Sequence, residues 1–236
     1  MTMQLSEKIA LVTGGTGELG RVIVQRFLVE GATVVATSRS VPAVDQEAPG
    51  SVRRARIVSA DLSNEADVVR LYDDARSSFG RLDIVVNAVG GFLPRKPLTE
   101  VSAAEWDSMM TINLRTTFLS TREALRLMKG QFYGRIINIS AMVGLQPGPG
   151  RAPYAISKAG VSMLTEIVAQ ELKGSGITIN AIAPGIIATK SNINSMPDED
   201  TTKWVKPEEI ADMICYLCSS AGGAVNGTTL KAYGAL

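Results

Sequence analysis

The chain has 236 residues, of which 45% are hydrophobic and 20% charged, and its formal net charge at pH 7 is +1. This length and composition are typical of one globular domain with a full core, and the balanced charge argues against nucleic acid as a partner. The chain has no histidine, which excludes a Ser-His-Asp triad and a His-ligated zinc site. We therefore expect no metal site, and any general acid must be Tyr, Lys, Cys or a carboxyl group.

Short apolar runs alternate with longer segments of helical periodicity along the chain. The runs predict strands at 9–12, 33–37, 55–59, 84–86, 136–139, 177–183 and 228–231. Helices are predicted at 19–30, from a Ser63 cap to 78, at 102–129, at 154–173 and after Pro207, with Ser102 and Glu105 forming a capping box. This alternation predicts an α/β fold: a Rossmann-type, doubly wound parallel sheet of about seven strands flanked by helices, with 1–236 as a single domain.

Two segments between these elements are predicted to be loops. Residues 41–50 contain two prolines and a glycine and connect the second strand to the third. Residues 189–204 lack strong periodicity and form a connection that is long for a compact domain. Because such loops are often functional, we expect 189–204 to be a substrate loop.

The turn after the first strand is rich in glycine and opens a helix. Residues 13–20 read Thr-Gly-Gly-Thr-Gly-Glu-Leu-Gly and contain a G-x-G-x-x-G pattern that begins at Gly15. Glycines allow a backbone to approach a pyrophosphate, and a helix N-terminus supplies free N–H groups and partial positive charge. We therefore predict a dinucleotide site, although a tight turn without a ligand is the alternative; its residues are Gly14, Thr16, Gly17, Leu19 and Gly20.

The end of the second strand indicates which dinucleotide is preferred. A carboxylate at this point would bind the ribose diol of NAD, but the sequence has Ser38 and Arg39 instead. An arginine fork matches a 2′-phosphate, so these residues favour NADP over NAD, which stays possible. The alternative is that Arg39 is an ordinary solvated surface charge.

Further motifs follow at the ends of the later strands, and in order they resemble the short-chain dehydrogenase/reductase family over essentially the whole chain. The residues that carry the resemblance, besides the glycine turn, are Asp61-Leu62, Asn87-Ala88-Val89-Gly90, Asn113, Tyr154-x-x-x-Lys158, Pro184-Gly185 and Thr189. The resemblance implies that Asp61 and Leu62 lie near the adenine. It also implies that Asn87, Ala88, Gly90, Pro184, Gly185, Ile187 and Thr189 contact the cofactor, with Thr189 at the nicotinamide amide.

Tyr154 and Lys158 form the acid/base candidate. Their four-residue spacing places both on one face of a helix. A phenol ordinarily has a pKa of about 10, and a nearby ammonium lowers it toward neutrality. Tyr154 could then protonate a carbonyl oxygen as a hydride arrives from the nicotinamide. The resemblance implies that Lys158 also holds the nicotinamide ribose and that Asn113 supports a water-linked proton relay.

The sequence departs from the family pattern at the serine that helps to hold the substrate oxygen. Thirteen residues before Tyr154 stands Ala141, and Ser140 is one residue early. Either a local bulge lets Ser140 serve as a catalytic residue, or the enzyme works without that serine, which we favour. Dihydropteridine reductases also lack the serine, and 195–204 and Gly90-Gly91-Phe92 resemble segments of theirs.

A second departure is Glu18, where the family has Gly or Ala. A carboxylate there would be repelled by a cofactor phosphate unless it points away, toward Arg21. It could weaken cofactor binding, contact a ribose hydroxyl, or simply be a solvated side chain. These two departures leave three hypotheses open: an NADP-dependent enzyme for a small carbonyl or alcohol substrate, a reductase of a quinonoid pterin, and a non-catalytic dinucleotide sensor.

The remaining expectations concern surroundings and partners. Cys215 and Cys218 fall in an apolar helical pattern, so they are predicted to be reduced core residues rather than a redox pair. The chain start lacks a secretory signal pattern and no run of about 18 apolar residues occurs, so we expect a cytoplasmic protein with no membrane contact.

The resemblance implies a homodimer or homotetramer through helices 102–129 and 154–173. Candidates to line the substrate pocket are Phe92, Leu93, Leu145, Met196 and Trp204, the last two also being possible loop anchors.

Overall fold

The fold is built on one parallel sheet of seven strands. The computed structural model describes residues 3–39 and 55–235. The strands follow the order β3-β2-β1-β4-β5-β6-β7, and every neighbouring pair is parallel. They are β1 (Ile9–Thr13), β2 (Thr33–Ser38), β3 (Ala55–Ser59), β4 (Ile84–Asn87), β5 (Gly134–Ile139), β6 (Ile177–Pro184) and β7 (Thr229–Ala232).

Helices cover both faces of this sheet. They are α1 (Glu18–Val29), α2 (Glu65–Phe79), α3 (Ala103–Met109), α4 (Thr116–Met128), α5 (Met142–Leu145), α6 (Ala152–Glu171), α7 (Lys190–Ser195) and α8 (Pro207–Cys218). A π-helical segment, Met110–Arg115, joins α3 to α4, and short 3₁₀ turns occupy Leu98–Glu100, Thr201–Lys203 and Ala221–Ala224. The predicted α/β class, the parallel sheet and its seven strands are therefore confirmed.

The strands are apolar throughout because both faces are buried. On β1, Ala10 and Val12 pack with α1 and α8, whereas Leu11 between them packs with α2, α4 and α6. Cys215 and Cys218 belong to the first of these clusters, are buried and carry free thiols, as predicted. Among the described residues, no helix combines the length and apolarity needed to cross a membrane.

The site lies where the strand order reverses, between the neighbouring strands β1 and β4. Chain order runs outward from β1 to β3 on one side and from β4 to β7 on the other. Loops that follow β1 and β4 therefore diverge and leave a crevice at the carboxyl ends of the strands, which is where ligands bind in open parallel sheets. The glycine turn opens at this edge.

Two helices differ from their predictions: α2 has a different cap residue, and the predicted helix 102–129 is interrupted. The cap of α2 is Asn64, whose Oδ1 accepts from the Ala66 N–H at 2.9 Å, rather than Ser63, whose hydroxyl donates to Asp61 at 2.7 Å. The predicted helix 102–129 keeps its Ser102–Glu105 capping box but is interrupted by the π-helical segment. The predicted loop 41–50 lies outside the described residues.

The segment 189–204 is pinned at both ends. Ile187 and Val205 form an isolated parallel bridge, and the Ala188 N–H donates to the Val205 carbonyl at 2.9 Å. Trp204 is buried, so it anchors the segment rather than lining an open pocket, while Met196 is half-buried. Contrary to the prediction of a loop without regular structure, the segment contains α7, capped by the Thr189 side chain.

Candidate functional site

A cleft of about 630 Å³ runs along the carboxyl ends of β1, β2, β3 and β4. This volume lies within the roughly 300–1,000 Å³ of typical ligand sites. Nine of the predicted cofactor residues line it: Gly14, Thr16, Gly17, Ser38, Arg39, Asp61, Leu62, Ala88 and Gly90. The sequence motifs from four separate strand ends therefore converge on one surface.

The glycine turn lines the cleft with its backbone. Its glycines are required because side chains at some of these positions would collide with the neighbouring backbone. Gly14 has φ +65°, a left-handed conformation that favours glycine, and its N–H donates to Thr37 Oγ1 at 3.1 Å. A Cβ on Gly20 would lie 2.1 Å from the Gly14 carbonyl oxygen. Gly17 is the N-cap of α1. The free N–H groups of the first turn of α1, to which Leu19 belongs, therefore offer an anion-binding surface.

The part of the cleft next to β2 and β3 carries hydroxyl, cationic and acidic groups. Thr16 Oγ1 donates to Ser38 Oγ at 3.0 Å, which ties the glycine turn to the end of β2. The Arg39 side chain is exposed at this end. Hydrogen bonds from the Ser63 side chain and backbone, with the Arg39 charge, hold the pKa of Asp61 below its ordinary value. Asp61 is thus ionised and fixed by its neighbours.

The turn after β4 is held against β1 by backbone bonds. Thr13 Oγ1 accepts from the Ala88 N–H at 3.1 Å and from the Val89 N–H at 3.4 Å. The Asn87 side chain points the other way, into a buried polar network. Its Nδ2 donates to Asn138 Oδ1 at 2.8 Å, and its Oδ1 accepts from Ser120 Oγ at 2.5 Å. The Asn87 amide therefore braces β4 against β5 and α4, and does not face the cleft as the resemblance implied.

Asn113 lies in the π-helical segment and is completely buried. Its Oδ1 accepts from the Gly91 N–H and its Nδ2 donates to the Gly91 carbonyl, both at 3.0 Å. Nδ2 also donates to Ser157 Oγ at 3.1 Å. Back-bonding from Thr116 and Thr117 to the Ile112 and Asn113 carbonyls accompanies the helix distortion. Asn113 thereby joins the β4 turn to α6.

Lys158 is buried on α6 and directed at the same place. Its Nζ donates to the Ile139 carbonyl at 2.8 Å, and burial lowers the pKa of Lys158 to about 8. A Cβ on Gly90 would lie 2.9 Å from Asn113 Oδ1 and 3.1 Å from Lys158 Nζ. Gly90 lines the cleft at the end of β4, so Lys158 and Asn113 lie directly beneath this part of the cleft.

Tyr154 lies one helical turn before Lys158 on α6 and is partly buried. Burial raises the pKa of Tyr154, and the neighbouring Arg151 guanidinium opposes that rise. The expected lowering by Lys158 is not seen, because burial dominates and the Lys158 ammonium is bonded to the Ile139 carbonyl. Sequence reasoning missed Arg151, although its position three residues before Tyr154 is a usable signal.

Ser140 is turned away from Tyr154. Its hydroxyl donates to the Lys158 carbonyl at 2.9 Å and pairs with Ser162 Oγ at 2.9 Å, and it is buried. This follows from the alternation of side chains along an extended chain, which places neighbours on opposite faces. These two bonds hold the Ser140 hydroxyl against α6, where it supports the helix backbone at Lys158.

The residues after β6 border the site from the other side. The Gly185 N–H donates to the Ala232 carbonyl at 2.9 Å, which continues the pairing of β6 with β7 beyond Pro184. Ile187 belongs to the bridge that pins the loop, and Thr189 caps α7. The Ser191 N–H in the first turn of α7 donates to the Glu18 carboxylate at 3.1 Å. Glu18 thus turns toward this segment while its carboxylate stays accessible to solvent.

One wall of the cleft was not foreseen. It is a helical stripe that runs from α3 through the π-helical segment to the start of α4, made of Ala104, Asp107, Ser108, Thr111, Ile112 and Thr116. The spacing of three or four residues identifies these positions as one face of a helix. The prediction that Asn113 lies at the site could have been extended to these residues, because they belong to the same continuous helical stretch as Asn113.

A doubly wound sheet with a glycine-rich first turn at the switch point defines a Rossmann-type protein. A family model described as short chain dehydrogenase matches residues 8–200. Glucose 1-dehydrogenase 2 of Bacillus subtilis is 34% identical over 98% of this chain and 95% of its own length. The 3-oxoacyl-acyl-carrier-protein reductase of Aquifex aeolicus is 30% identical over the full length of both chains, given as 100% for each.

Solved structures agree with these matches. A putative gluconate dehydrogenase from Agrobacterium tumefaciens superposes with a TM-score of 0.90 at 29% identity, covering 99% of this chain and 97% of its own. A short-chain dehydrogenase/reductase variant of Serratia marcescens gives 0.87 at 31% identity, covering 98% of each chain. The chain belongs to the short-chain dehydrogenase/reductase family of oxidoreductases, whose members use NAD(P).

Proposed function

We propose that the protein is an NADP-dependent oxidoreductase that interconverts a small carbonyl compound and its alcohol, with Tyr154 as the acid/base. The observation that carries this proposal is the convergence of buried Lys158 and Asn113 on Gly90, which lines the cleft. A buried ammonium with one carbonyl partner is costly for a fold. Its position beneath a ligand-sized cleft supports a catalytic role.

The cleft fits a dinucleotide along its length. Ser38, Arg39 and Asp61 would hold the adenosine end, and the first turn of α1 would hold the phosphates. Gly90 would lie under the nicotinamide end, where any side chain would collide with Asn113 and Lys158. The nicotinamide, when bound, supplies or accepts the hydride. The chain itself then has to place the substrate carbon and move a proton.

Tyr154 moves that proton. Its raised pKa keeps the phenol protonated at neutral pH, so it can donate to a carbonyl oxygen in the direction of reduction. Arg151 and the N-terminal end of α6, where Tyr154 lies, both favour the phenolate that follows donation. Lys158 lies one turn further along α6 on the same helix face.

The preference for NADP rests on Arg39 and on the lack of a carboxylate at residues 37–39. We expect Arg39→Gln to weaken NADPH binding by roughly ten-fold or more and to leave NADH binding nearly unchanged, because the 2′-phosphate is the only difference. Fluorescence titration of both nucleotides measures this. Equal losses for NADPH and NADH would show that Arg39 does not read the 2′-phosphate.

The catalytic arrangement is proposed to operate without the usual serine. Ala141 is buried, and the Ser140 hydroxyl is bonded to Lys158 and Ser162. This observation also favours a second candidate, reduction of a quinonoid pterin. Assays of NADPH oxidation with a carbonyl panel and with quinonoid dihydropterin separate the two. NADPH binding without turnover of any substrate would instead favour a dinucleotide sensor.

Self-association is proposed through α4 and α6. Both helices expose large apolar side chains, Phe118, Ile156, Met163 and Ile167, between 43% and 57% exposed. Such apolar residues are expected to mark an interaction surface where they cluster. A homodimer or homotetramer by light scattering at micromolar concentration is the expected result, and a monomer mass would refute it. Two reduced, buried thiols support a reducing cytoplasmic location.

A further inference from the structure

Glu18 connects two parts of the site that are distant in sequence. It is the first residue of α1, directly after the Gly17 cap. Its Oε1 and Oε2 accept from the Ser191 N–H at 3.1 and 3.3 Å, across 173 residues of chain. This contact joins the phosphate-binding turn to the start of the segment 189–204.

The Ser191 N–H is free to donate to Glu18 because it lies at the start of α7. Thr189 caps the helix through its side chain, which accepts from the Asn192 N–H at 3.3 Å. The Ser191 N–H lies in the first turn, where backbone donors have no partner within the helix. Glu18 supplies the missing acceptor and so adds a contact between α1 and the start of the segment, beside the Ile187–Val205 bridge and the Thr189 cap.

The charge of Glu18 has a consequence for an anionic ligand. Hydrogen bonds from the Ser191 side chain and backbone and from Thr189, with the Arg21 charge, hold the pKa of Glu18 below its ordinary value, so it is ionised near neutrality. The same first turn of α1 presents the N–H groups that would receive a cofactor phosphate. Two anionic groups would therefore compete for one positively polarised helix end.

We propose that Glu18 is a latch residue that ties the start of the substrate segment to the phosphate-binding turn and thereby lowers the affinity for the dinucleotide. The proposal rests on the proposed function. Glu18 acts as a positioning residue: it touches the segment through Ser191 and opposes the phosphates through its charge. Cofactor phosphates bound at the first turn of α1 would repel the Glu18 carboxylate and so weaken its hold on Ser191.

The test compares Glu18→Gln, Glu18→Ala and a matched control, Glu208→Gln. Glu208 is an exposed carboxylate in the first turn of α8 that does not line the cleft, so its removal changes the net charge equally without touching the site. NADPH is titrated by fluorescence at low and high salt. Amide hydrogen exchange of 189–196 is measured in the free proteins, which reports on the latch independently of nucleotide.

We expect both Glu18 variants to bind NADPH roughly three- to ten-fold more tightly at low salt, with a smaller gain at high salt because the repulsion is screened. Exchange of the Ser191 amide should be several-fold faster in Glu18→Ala, and Glu208→Gln should match the wild type in both measurements. Unchanged or weaker NADPH binding in the Glu18 variants, or unchanged exchange at Ser191, would overturn the latch. A wild type that binds no NADPH would instead overturn the proposed function.

Discussion

Replacing Lys158 with methionine should change how the stability of the protein depends on pH. Lys158 is buried with its Nζ against the Ile139 carbonyl, and burial lowers its pKa from 10.5 to about 8. The folded protein therefore releases this proton at lower pH than the unfolded chain does. Between these two values the unfolded chain binds more protons, so raising the pH increases the free energy of unfolding.

The size of the effect follows from the two pKa values. One pKa unit corresponds to about 1.4 kcal/mol, so holding the ammonium in the fold costs about 3 kcal/mol below pH 8. Most of this cost is relieved by pH 10. The unfolding free energy of the wild type should thus rise by about 2.5 kcal/mol relative to Lys158→Met between pH 7 and pH 10.

Urea unfolding of both proteins at a series of pH values measures this difference, and the other titrating groups cancel in the comparison. Methionine has a similar volume and no charge, so the buried site stays filled. A difference between the two proteins that is independent of pH would refute the reasoning, since it would mean that Lys158 keeps its ordinary pKa in the fold.

Three further substitutions test other parts of the site. Gly90→Ala should lower turnover at least about ten-fold and cost about 1–3 kcal/mol of stability, because its Cβ would lie 2.9 Å from buried Asn113 Oδ1; steady-state kinetics and urea unfolding check this. Arg151→Gln should shift the pH profile of alcohol oxidation to higher pH, because Arg151 opposes the raised pKa of Tyr154; an unshifted profile would contradict it. Ser120→Ala should cost about 1–3 kcal/mol of stability, measured in urea, because it leaves the buried Asn87 oxygen without its donor at 2.5 Å.

The sheet and the glycine turn could be predicted because their causes are local. Apolar runs bounded by turn residues predicted all seven strands, and the cap residues Ser102 and Glu105 were identified by type and spacing. Gly14 and Gly20 are required by one tight turn and one close contact, both within eight residues of chain. Interactions of this range are visible in a sequence pattern.

The parts that could not be predicted depend on contacts between distant residues. The π-helical segment accompanies the bonds of Asn113 to Gly91 and Ser157, which are brought together only by the fold. The Asn87 amide serves a buried network with Asn138 and Ser120 for the same reason. The pKa of Tyr154 depends on its burial, which a motif does not reveal.

The most direct test of the central claim measures NADPH binding and NADPH oxidation in three proteins: the wild type, Tyr154→Phe, and Tyr216→Phe, whose phenol is half exposed on α8. The account predicts that all three bind NADPH with similar affinity. It predicts that Tyr154→Phe alone loses turnover of every accepted substrate, by about 100-fold or more. Turnover retained in Tyr154→Phe would contradict the assignment of Tyr154 as the group that moves the proton.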